Sequence, residues 1–208
     1  SILPPVDPQK VICIGLNYLN HAKEKGRDIP EEPMMFMTSP TSIIAHEEDI
    51  ILPRDELTEF EAELVIVMKK EAKNISEENA LDYVLGYTIG NDVSNRILQN
   101  KDKQFTRAKS FDTFKPLGPY IETNINPDNV DIKLLLNGET LQNSNTDNMI
   151  FTTKRLIQDI SQVMTLLPGD VIFTGTPEGV APIKAGDQIE ITIEGIGTLC
   201  NRVVGGYN

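Results

Sequence analysis

Short apolar segments separated by turn residues recur along the whole chain, and they predict many strands and few helices. Two Gly-Asp turns, at 169–170 and 186–187, each precede a segment of this kind. The pattern predicts strands over residues 10–15, 34–37, 42–45, 49–52, 58–68, 84–91, 171–174, 188–194 and 198–204. Because these strands outnumber the helices and do not alternate regularly with them, we expect a mainly β, α+β fold rather than a doubly wound sheet.

Helical spacing is found in fewer places. Helices are predicted at 17–25, where Gly26 can end the helix, at 76–83, at 92–99 and at 153–166. The last is marked by an apolar stripe that indicates core packing rather than cofactor contact: Leu156, Ile157, Ile160, Val163 and Met164. The polar segment 100–109 has no periodicity and is predicted to be a mobile loop.

Length and composition favour one globular domain, over residues 1–208. No repeat or Pro/Gly-rich linker divides the 208 residues, and 39% of them are hydrophobic. The longest apolar runs, such as Leu64 to Met68, have about five residues, whereas a membrane-spanning helix needs roughly 18. The sequence therefore predicts no membrane span.

Charge and cysteine content bear on partners and location. Lys and Arg number 19 against 31 Asp and Glu, giving a net charge of −12 without a basic tract, which disfavours general nucleic-acid binding. Cys13 and Cys200 lie in apolar runs, as reduced thiols commonly do. No secretory signal opens the chain, so we expect a cytoplasmic protein, and the missing initial Met suggests a trimmed start.

Three acidic residues are candidates for a metal site. Glu61 and Glu63 lie two apart in a predicted strand and therefore share one face, while Asp92 follows the end of another strand. The alternatives are a solvated strand face for the two glutamates and a helix cap for Asp92. If the three carboxylates meet, an all-oxygen ligand set selects a hard cation such as Mg²⁺, Mn²⁺ or Ca²⁺.

Other polar residues could act on a substrate. His21 and Glu24 are three apart on a predicted helix, so the acid could orient the imidazole as a base, unless the pair is simply a surface contact. Lys109 could stabilise an oxyanion or be solvated. The loop 174–180 contains two glycines and could present backbone amides to a carboxylate, or be only a tight turn.

Six ordered motifs give the sequence a wider resemblance, which extends from about Val11 to Val204. Together they resemble the fumarylacetoacetate hydrolase family, in particular its small single-domain members, which include acylpyruvases, oxaloacetate decarboxylases and dienedioate isomerases. The motifs are Gly15-Leu-Asn17-Tyr18-x-x-His21-x-x-Glu24, Glu61-Ala-Glu63-Leu64, Asn91-Asp92-x-x-x-Arg96-x-x-Gln99, Lys109-Ser-Phe-Asp112, Asn137-Gly-Glu139 and Thr174-Gly-Thr176-Pro-x-Gly-Val180.

The resemblance implies a mixed β-roll, usually assembled as a homodimer. It implies that Mg²⁺ or Mn²⁺ is held by Glu61, Glu63 and Asp92, that His21 with Glu24 activates water, and that Lys109 contacts the substrate. It places Arg96, Gln99 and Thr176 at the pocket wall. One departure is Thr38, where many relatives have lysine; if that lysine fixes a distal substrate charge, the substrate differs here.

The preferred activity at this point is hydrolysis of a carbon–carbon bond in an acylpyruvate-type β-diketo acid. Water deprotonated by His21 with Glu24 would attack the distal carbonyl, and Lys109 would stabilise the oxyanion. The same site could decarboxylate oxaloacetate or isomerise 2-hydroxyhepta-2,4-diene-1,7-dioate, in either case acting on a small 2-oxo acid. A non-catalytic metal-binding or interaction protein is the alternative of another class.

Overall fold

The computed structural model describes residues 2–53 and 56–206, and these are mostly β. The strands are β1 Val11–Gly15, β2 Met34–Thr38, β3 Ile43–Ile44, β4 Ile50–Leu52, β5 Thr58–Glu59, β6 Ala62–Met68, β7 Val84–Asn91, β8 Ser94–Asn95, β9 Lys115–Glu122, β10 Asp131–Leu136, β11 Glu139–Asn145, β12 Val171–Phe173, β13 Gln188–Ile193 and β14 Gly197–Gly205. The α-helices are α1 Leu19–Glu24, α2 Arg96–Asp102, α3 Thr106–Lys109 and α4 Thr153–Val163. The predicted mainly β, α+β class is confirmed.

The strands form two large mixed sheets. A seven-stranded sheet has the order β2-β1-β12-β6-β7-β9-β3, and a five-stranded sheet has the order β11-β10-β13-β14-β4. In the first sheet β1 runs parallel to β12 and β3 parallel to β9, whereas β6 and β7 are antiparallel. Strands β5 and β8 form a separate antiparallel pair.

Strand β6 lies at the centre of the larger sheet and is buried on both faces. Leu64 and Ile66 pack into the main core, and Val65 and Val67 pack into a smaller cluster on the other face. This explains why the apolar and polar alternation disappears in the second half of the predicted 58–68 strand. The predicted strand is nevertheless interrupted, because Phe60 and Glu61 separate β5 from β6.

Four of the strands were not predicted from the sequence, namely the two-residue β8, which falls in the helix predicted at 92–99, and β9, β10 and β11. The turn between β10 and β11 contains Asn137 and Gly138, both at positive φ (52° and 83°), as tight hairpins require. Strand β10 alternates buried Ile132 and Leu134 with exposed Asp131 and Lys133, so a period-two signal was present.

The helices differ from the predictions in several details. Residues 77–83 form a 3-10 helix rather than an α-helix. The helix predicted at 92–99 begins at Arg96, and its N-terminus is capped by the Asn95 side chain, so Asp92 is not a helix cap. The prediction of a loop over 100–109 was wrong, since Asn100 to Asp102 belong to α2 and Thr106 to Lys109 form α3.

Helix α4 confirms the strongest helical prediction, except at its end. Leu156, Ile157 and Ile160 are fully buried in the core, but Val163 is the last helical residue and is 63% exposed. Thr152 caps the helix by accepting from the Arg155 amide. None of the helices in residues 2–53 and 56–206 has the length and apolar character needed to cross a bilayer.

Candidate functional site

Two adjacent strands of the seven-stranded sheet bring the three predicted carboxylates together. Glu61 precedes β6 by one residue, Glu63 lies within it, and Asp92 directly follows β7. The β6–β7 register pairs Glu63 with Gly90, and the Asp92 amide donates to the Glu61 carbonyl oxygen over 2.9 Å. Glu61 and Glu63 are two residues apart and share one face, so both lie next to Asp92 at the end of the neighbouring strand β7.

Glu61, Glu63 and Asp92, here called the carboxylate cluster, are all buried, and their ligand atoms lie within 4.8 Å of one another. Burial, together with the negative charges of Asp92 and Glu61, raises the pKa of Glu63 well above its usual range. Burial also acts on Glu61, but Lys109 and Arg96 outweigh it and lower the pKa of Glu61 to about 2. The two glutamates therefore hold protons very differently although they are two residues apart.

Positive groups surround the carboxylate cluster at hydrogen-bond distance. Lys109 Nζ donates to Glu61 Oε2 (2.9 Å) and to Asp92 Oδ2 (2.6 Å). Lys115 Nζ lies 2.6 Å from Asp92 Oδ1, and Arg96 donates to Glu61 Oε1 over 2.5 Å. Burial lowers the pKa of Lys109, but the adjacent carboxylates reverse this and hold it above the usual value.

Lys115 is the part of this arrangement that the sequence analysis missed. It begins β9, a strand that was not predicted, and its side chain is fully buried. The available signal was a single lysine within an otherwise apolar segment, Phe114-Lys-Pro-Leu-Gly-Pro119, because a lysine there must be paired if it is buried.

The carboxylate cluster fits a hard divalent cation. Its donors are all carboxylate oxygens, the ligands that Mg²⁺ and Mn²⁺ prefer. Asp92 Oδ1 is buried and, although the Lys115 ammonium is close, has no directed hydrogen bond, so an acceptor lone pair remains available there. Among the described residues, this is the group of acids that could hold a metal ion.

The predicted pair of His21 and Glu24 is formed on α1. His21 is buried, and its Nδ1 lies 3.0 Å from Glu24 Oε2, which as a carboxylate accepts the Nδ1 proton and leaves Nε2 able to accept another. The second Glu24 oxygen accepts from the Gly179 amide over 3.3 Å. The helix pair is thereby tied to the glycine loop at 174–180.

Asn17 fixes the start of this helix against the same loop. Its side-chain amide donates to the carbonyl oxygens of Phe151 and Thr174, and its oxygen accepts from the Phe151 amide. Gly175 lies at φ +100°, and a Cβ there would come within 2.7 Å of Asn17 Cβ. A glycine is therefore needed where the loop passes the helix start.

Arg96, Gln99 and Thr176 all line the cavity, as predicted for the pocket wall. Arg96 donates to Glu59 and to Gln99 as well as to Glu61, so much of its donor capacity serves to hold the wall. Thr176 accepts from Gln142, whose amide oxygen accepts from the backbone amide of Ala62. Gln142 was missed because its partners lie far away along the chain.

The cavity that Arg96, Gln99 and Thr176 help to line has a volume of about 1060 Å³. His21, Glu61 and Lys109 line its deep side. Exposed charged residues line its opening and are here called the cavity mouth: Lys25, Arg27, Asp28 and Lys103. Cations predominate in the lining although the chain as a whole carries a net charge of −12, so the cavity is suited to an anion.

Thr38 is buried away from the cavity mouth. Its hydroxyl lies 3.8 Å from the sulfur of Cys13, and the pKa of that thiol is raised by burial and then by Asp92. The expectation that the substrate differs because of Thr38 stays a prediction.

Nearly the whole chain is similar to known proteins. The model of the fumarylacetoacetate (FAA) hydrolase C-terminal family matches residues 10–204. A Xenopus laevis protein named oxaloacetate tautomerase, mitochondrial, is 43% identical over 218 residues, covering 98% of this chain and 68% of its own length. The solved structure of 5-carboxymethyl-2-hydroxymuconate delta-isomerase from Mycobacterium smegmatis is 47% identical, with a TM-score of 0.95 over 100% of this chain and 83% of the other.

A second solved structure, 2-hydroxyhepta-2,4-diene-1,7-dioate isomerase from Mycobacterium marinum, is 44% identical with a TM-score of 0.93. The match covers 99% of this chain and 78% of that one. The chain is thus similar to proteins whose names refer to the movement of protons and double bonds in oxo and hydroxy acids.

Proposed function

Because the chain belongs to the fumarylacetoacetate hydrolase family, we propose that it is a divalent-metal-dependent enzyme that transfers protons on small 2-oxo dicarboxylic acids. The reaction class is keto–enol tautomerisation or double-bond isomerisation, with oxaloacetate as the simplest candidate. The observation that carries the proposal is the His21–Glu24 pair beside the buried carboxylate cluster in a cation-rich cavity. The names of the Xenopus and mycobacterial relatives support the reaction class.

Glu61, Glu63 and Asp92 would hold Mg²⁺ or Mn²⁺. The cation would supply positive charge that stabilises the negative charge developing on the oxygens of an enolising 2-oxo acid. Of the three, Glu61 lines the cavity, so a cation held there would be within reach of a substrate or water in the cavity.

His21 is placed to move the proton. Glu24 keeps the Nδ1 proton in place, so Nε2 can take a proton from the carbon next to the keto group and return it to oxygen or carbon. Lys109 lines the cavity and its ammonium can donate to a developing enolate oxygen. Arg96 and Gln99 form the cavity wall next to Glu61, and this wall would restrict the orientation of the substrate acid.

The test is an assay of the oxaloacetate enol signal in the ultraviolet, with Mg²⁺ and with Mn²⁺, on the wild type, His21→Ala and His46→Ala. We expect His21→Ala to lower the rate by about 10²–10⁴-fold, the usual contribution of a general base. His46 is the matched control, because it is the other histidine and accepts from the Cys200 amide instead of lining the cavity. Equal rates for wild type and His21→Ala would refute the assignment.

Hydrolysis of acylpyruvates is the second candidate, and the same His21–Glu24 pair favours it, since the pair could deprotonate a water as well as a carbon acid. The assay therefore includes acetylpyruvate, with pyruvate and acetate measured as products. Cleavage of acetylpyruvate without enol turnover would favour the hydrolase over the tautomerase. Decarboxylation of oxaloacetate is followed in the same samples as pyruvate formation.

A further inference from the structure

Asp92 is held between two lysines. Lys109 Nζ contacts its Oδ2 at 2.6 Å and Lys115 Nζ contacts its Oδ1 at 2.6 Å, and all three side chains are buried. Lys109 also reaches Glu61 at 2.9 Å, so one ammonium joins two members of the carboxylate cluster. Two positive charges are therefore in contact with the oxygens to which a divalent cation would bind.

The need for these charges follows from the burial of the acids. Ionised carboxylates within 4.8 Å repel one another strongly in a medium of low dielectric constant, and nearby cations reduce this repulsion. Arg96 neutralises one side of Glu61. The lysines supply the remaining compensation without any metal.

We propose that Lys109 and Lys115 are the resident counter-ions of the carboxylate cluster in the metal-free protein, and that they weaken its affinity for the divalent cation. The inference rests on the metal site of the proposed function. A divalent cation entering the carboxylate cluster must displace or repel these ammonium groups, because they share the same acceptor oxygens. The carboxylate cluster is then stabilised without metal, and it binds the metal less tightly than it would without the two lysines.

The two lysines are not equivalent. Lys115 is anchored, since its Nζ also donates to the Lys109 carbonyl oxygen over 2.6 Å and its side chain is fully enclosed. Lys109 lines the cavity and has space to turn toward a bound anion. The Lys115 ammonium is therefore fixed beside Asp92. The Lys109 ammonium is the one that can move from the carboxylate cluster toward a bound substrate.

The experiment measures Mn²⁺ and Mg²⁺ affinity by calorimetry, and thermal unfolding with and without metal, on three lysine-to-methionine variants. Methionine keeps much of the length of lysine and removes the charge. Lys109→Met and Lys115→Met test the proposal. Lys10→Met is the matched control, because Lys10 Nζ lies 2.6 Å from Asp170, another fully buried carboxylate, which does not belong to the cluster.

We expect each of the two test variants to bind Mn²⁺ at least about tenfold more tightly than the wild type. Without metal, all three variants should unfold at lower temperature, by about 5 °C or more, because each removes an ammonium partner from a buried carboxylate. Saturating Mg²⁺ should stabilise Lys109→Met and Lys115→Met more than the wild type, since a tighter ligand stabilises more at equal concentration. It should stabilise Lys10→Met no more than the wild type.

Unchanged or weaker metal affinity in Lys109→Met and Lys115→Met would overturn the proposal. If Lys115→Met does not fold, Lys109→Met decides alone, because its side chain lines the cavity. The proposed function fails separately, through an absence of turnover in the wild type with every substrate of the assay. Absence of Mn²⁺ and Mg²⁺ binding in the wild type and in both test variants would reject the metal site and the counter-ion role together.

Discussion

The carboxylate cluster and the cavity mouth both combine acids with cations, but they hold them in opposite ways. In the cluster, Glu61 and Asp92 are buried and in contact with ammonium or guanidinium groups at 2.5–2.9 Å. At the mouth, Lys25, Arg27 and Lys103 are exposed to solvent. Two unit charges 4 Å apart interact by about 1 kcal/mol in water and about 4 kcal/mol at an effective dielectric constant of 20.

This difference shows that burial, rather than residue type, determines how strongly a charged side chain interacts with protons and ions here. In the cluster, one glutamate has a raised pKa and its neighbour a pKa lowered to about 2, so protons and cations compete strongly. At the mouth, solvent and salt screen each charge, and a lysine there can attract an anion but cannot fix its orientation. The following experiments probe the two regions in order of expected effect.

The largest effect is expected in the carboxylate cluster. Glu63→Gln removes one negative ligand while leaving the side-chain size nearly unchanged, so Mg²⁺ or Mn²⁺ affinity should fall by about 100-fold or more and turnover with it. Calorimetry measures the affinity. Asp28→Asn, which makes the same chemical change at the cavity mouth, should leave the affinity within about twofold. An unchanged affinity in Glu63→Gln would reject the metal assignment.

The second effect is a pH dependence that the cluster should have and the mouth should lack. The pKa of Glu63 is raised, so in the metal-free protein it keeps its proton to higher pH, and its neutral form favours folding until pH rises through that pKa. Glu61, with a pKa of about 2, has its full ion-pair stabilisation above the usual glutamate range and loses it progressively as pH falls from that range through about 2.

Metal binding must therefore displace the Glu63 proton. We expect Mg²⁺ affinity to rise by up to about tenfold per pH unit as pH rises from the usual glutamate range toward the raised pKa of Glu63, with proton release detected by calorimetry in buffers of different ionisation enthalpy. The residual affinity of Glu63→Gln should vary much less with pH. A flat profile in the wild type would contradict the raised pKa.

These residues also show what the sequence could predict. Local periodicity, which a single sequence displays, brings two pairs of side chains together. Glu61 and Glu63 are two apart in the predicted strand, and His21 and Glu24 are three apart in a helix. Asp92 was placed by the end of one well-marked strand. The family motifs added the expectation that these separate groups share a site. In the structure the three acids lie together, and Glu61 and His21 both line the same cavity.

What could not be predicted depends on contacts between distant segments. Lys115 and Gln142 belong to strands that were missed, and their partners Asp92, Thr176 and Ala62 are up to 80 residues away. Strand pairing of this range has no signal in local spacing. Segment 100–109 was taken for a loop because a four-residue helix has too few positions to show a period.

A third, intermediate effect is expected from the loop that fixes α1 beside the carboxylate cluster. Gly175→Ala places a Cβ 2.7 Å from Asn17 Cβ, so Asn17 and with it the His21 helix must shift. We expect turnover to fall by about tenfold and stability by about 1–3 kcal/mol. Gly186→Ala is the control, because Gly186 has a similar φ (+97° against +100°) but an open space around its Cβ position.

Both variants should be less stable because of the backbone strain, but only Gly175→Ala should also show lower turnover. Circular dichroism melting and the enol assay separate the two contributions. Equal loss of turnover in both variants would mean that strain alone, and not the contact with Asn17, is responsible.

The smallest effect is expected at the cavity mouth. Lys103→Gln removes one exposed cation that lines the cavity, and we expect KM for oxaloacetate to rise about two- to fivefold while kcat stays unchanged, since a screened charge contributes to attraction and little to the chemical step. The increase should shrink as salt is raised from 20 mM to about 150 mM, where the Debye length is about 8 Å. Lys101→Gln is the matched control, because Lys101 is also exposed and lies only two residues earlier, in the last turn of α2, but it does not line the cavity. Both variants change the net charge equally. A similar KM change in Lys101→Gln would assign the effect to the charge of the whole protein. A fall in kcat in Lys103→Gln would mean that the cavity mouth takes part in the chemical step, which we assign to the carboxylate cluster and the His21–Glu24 pair.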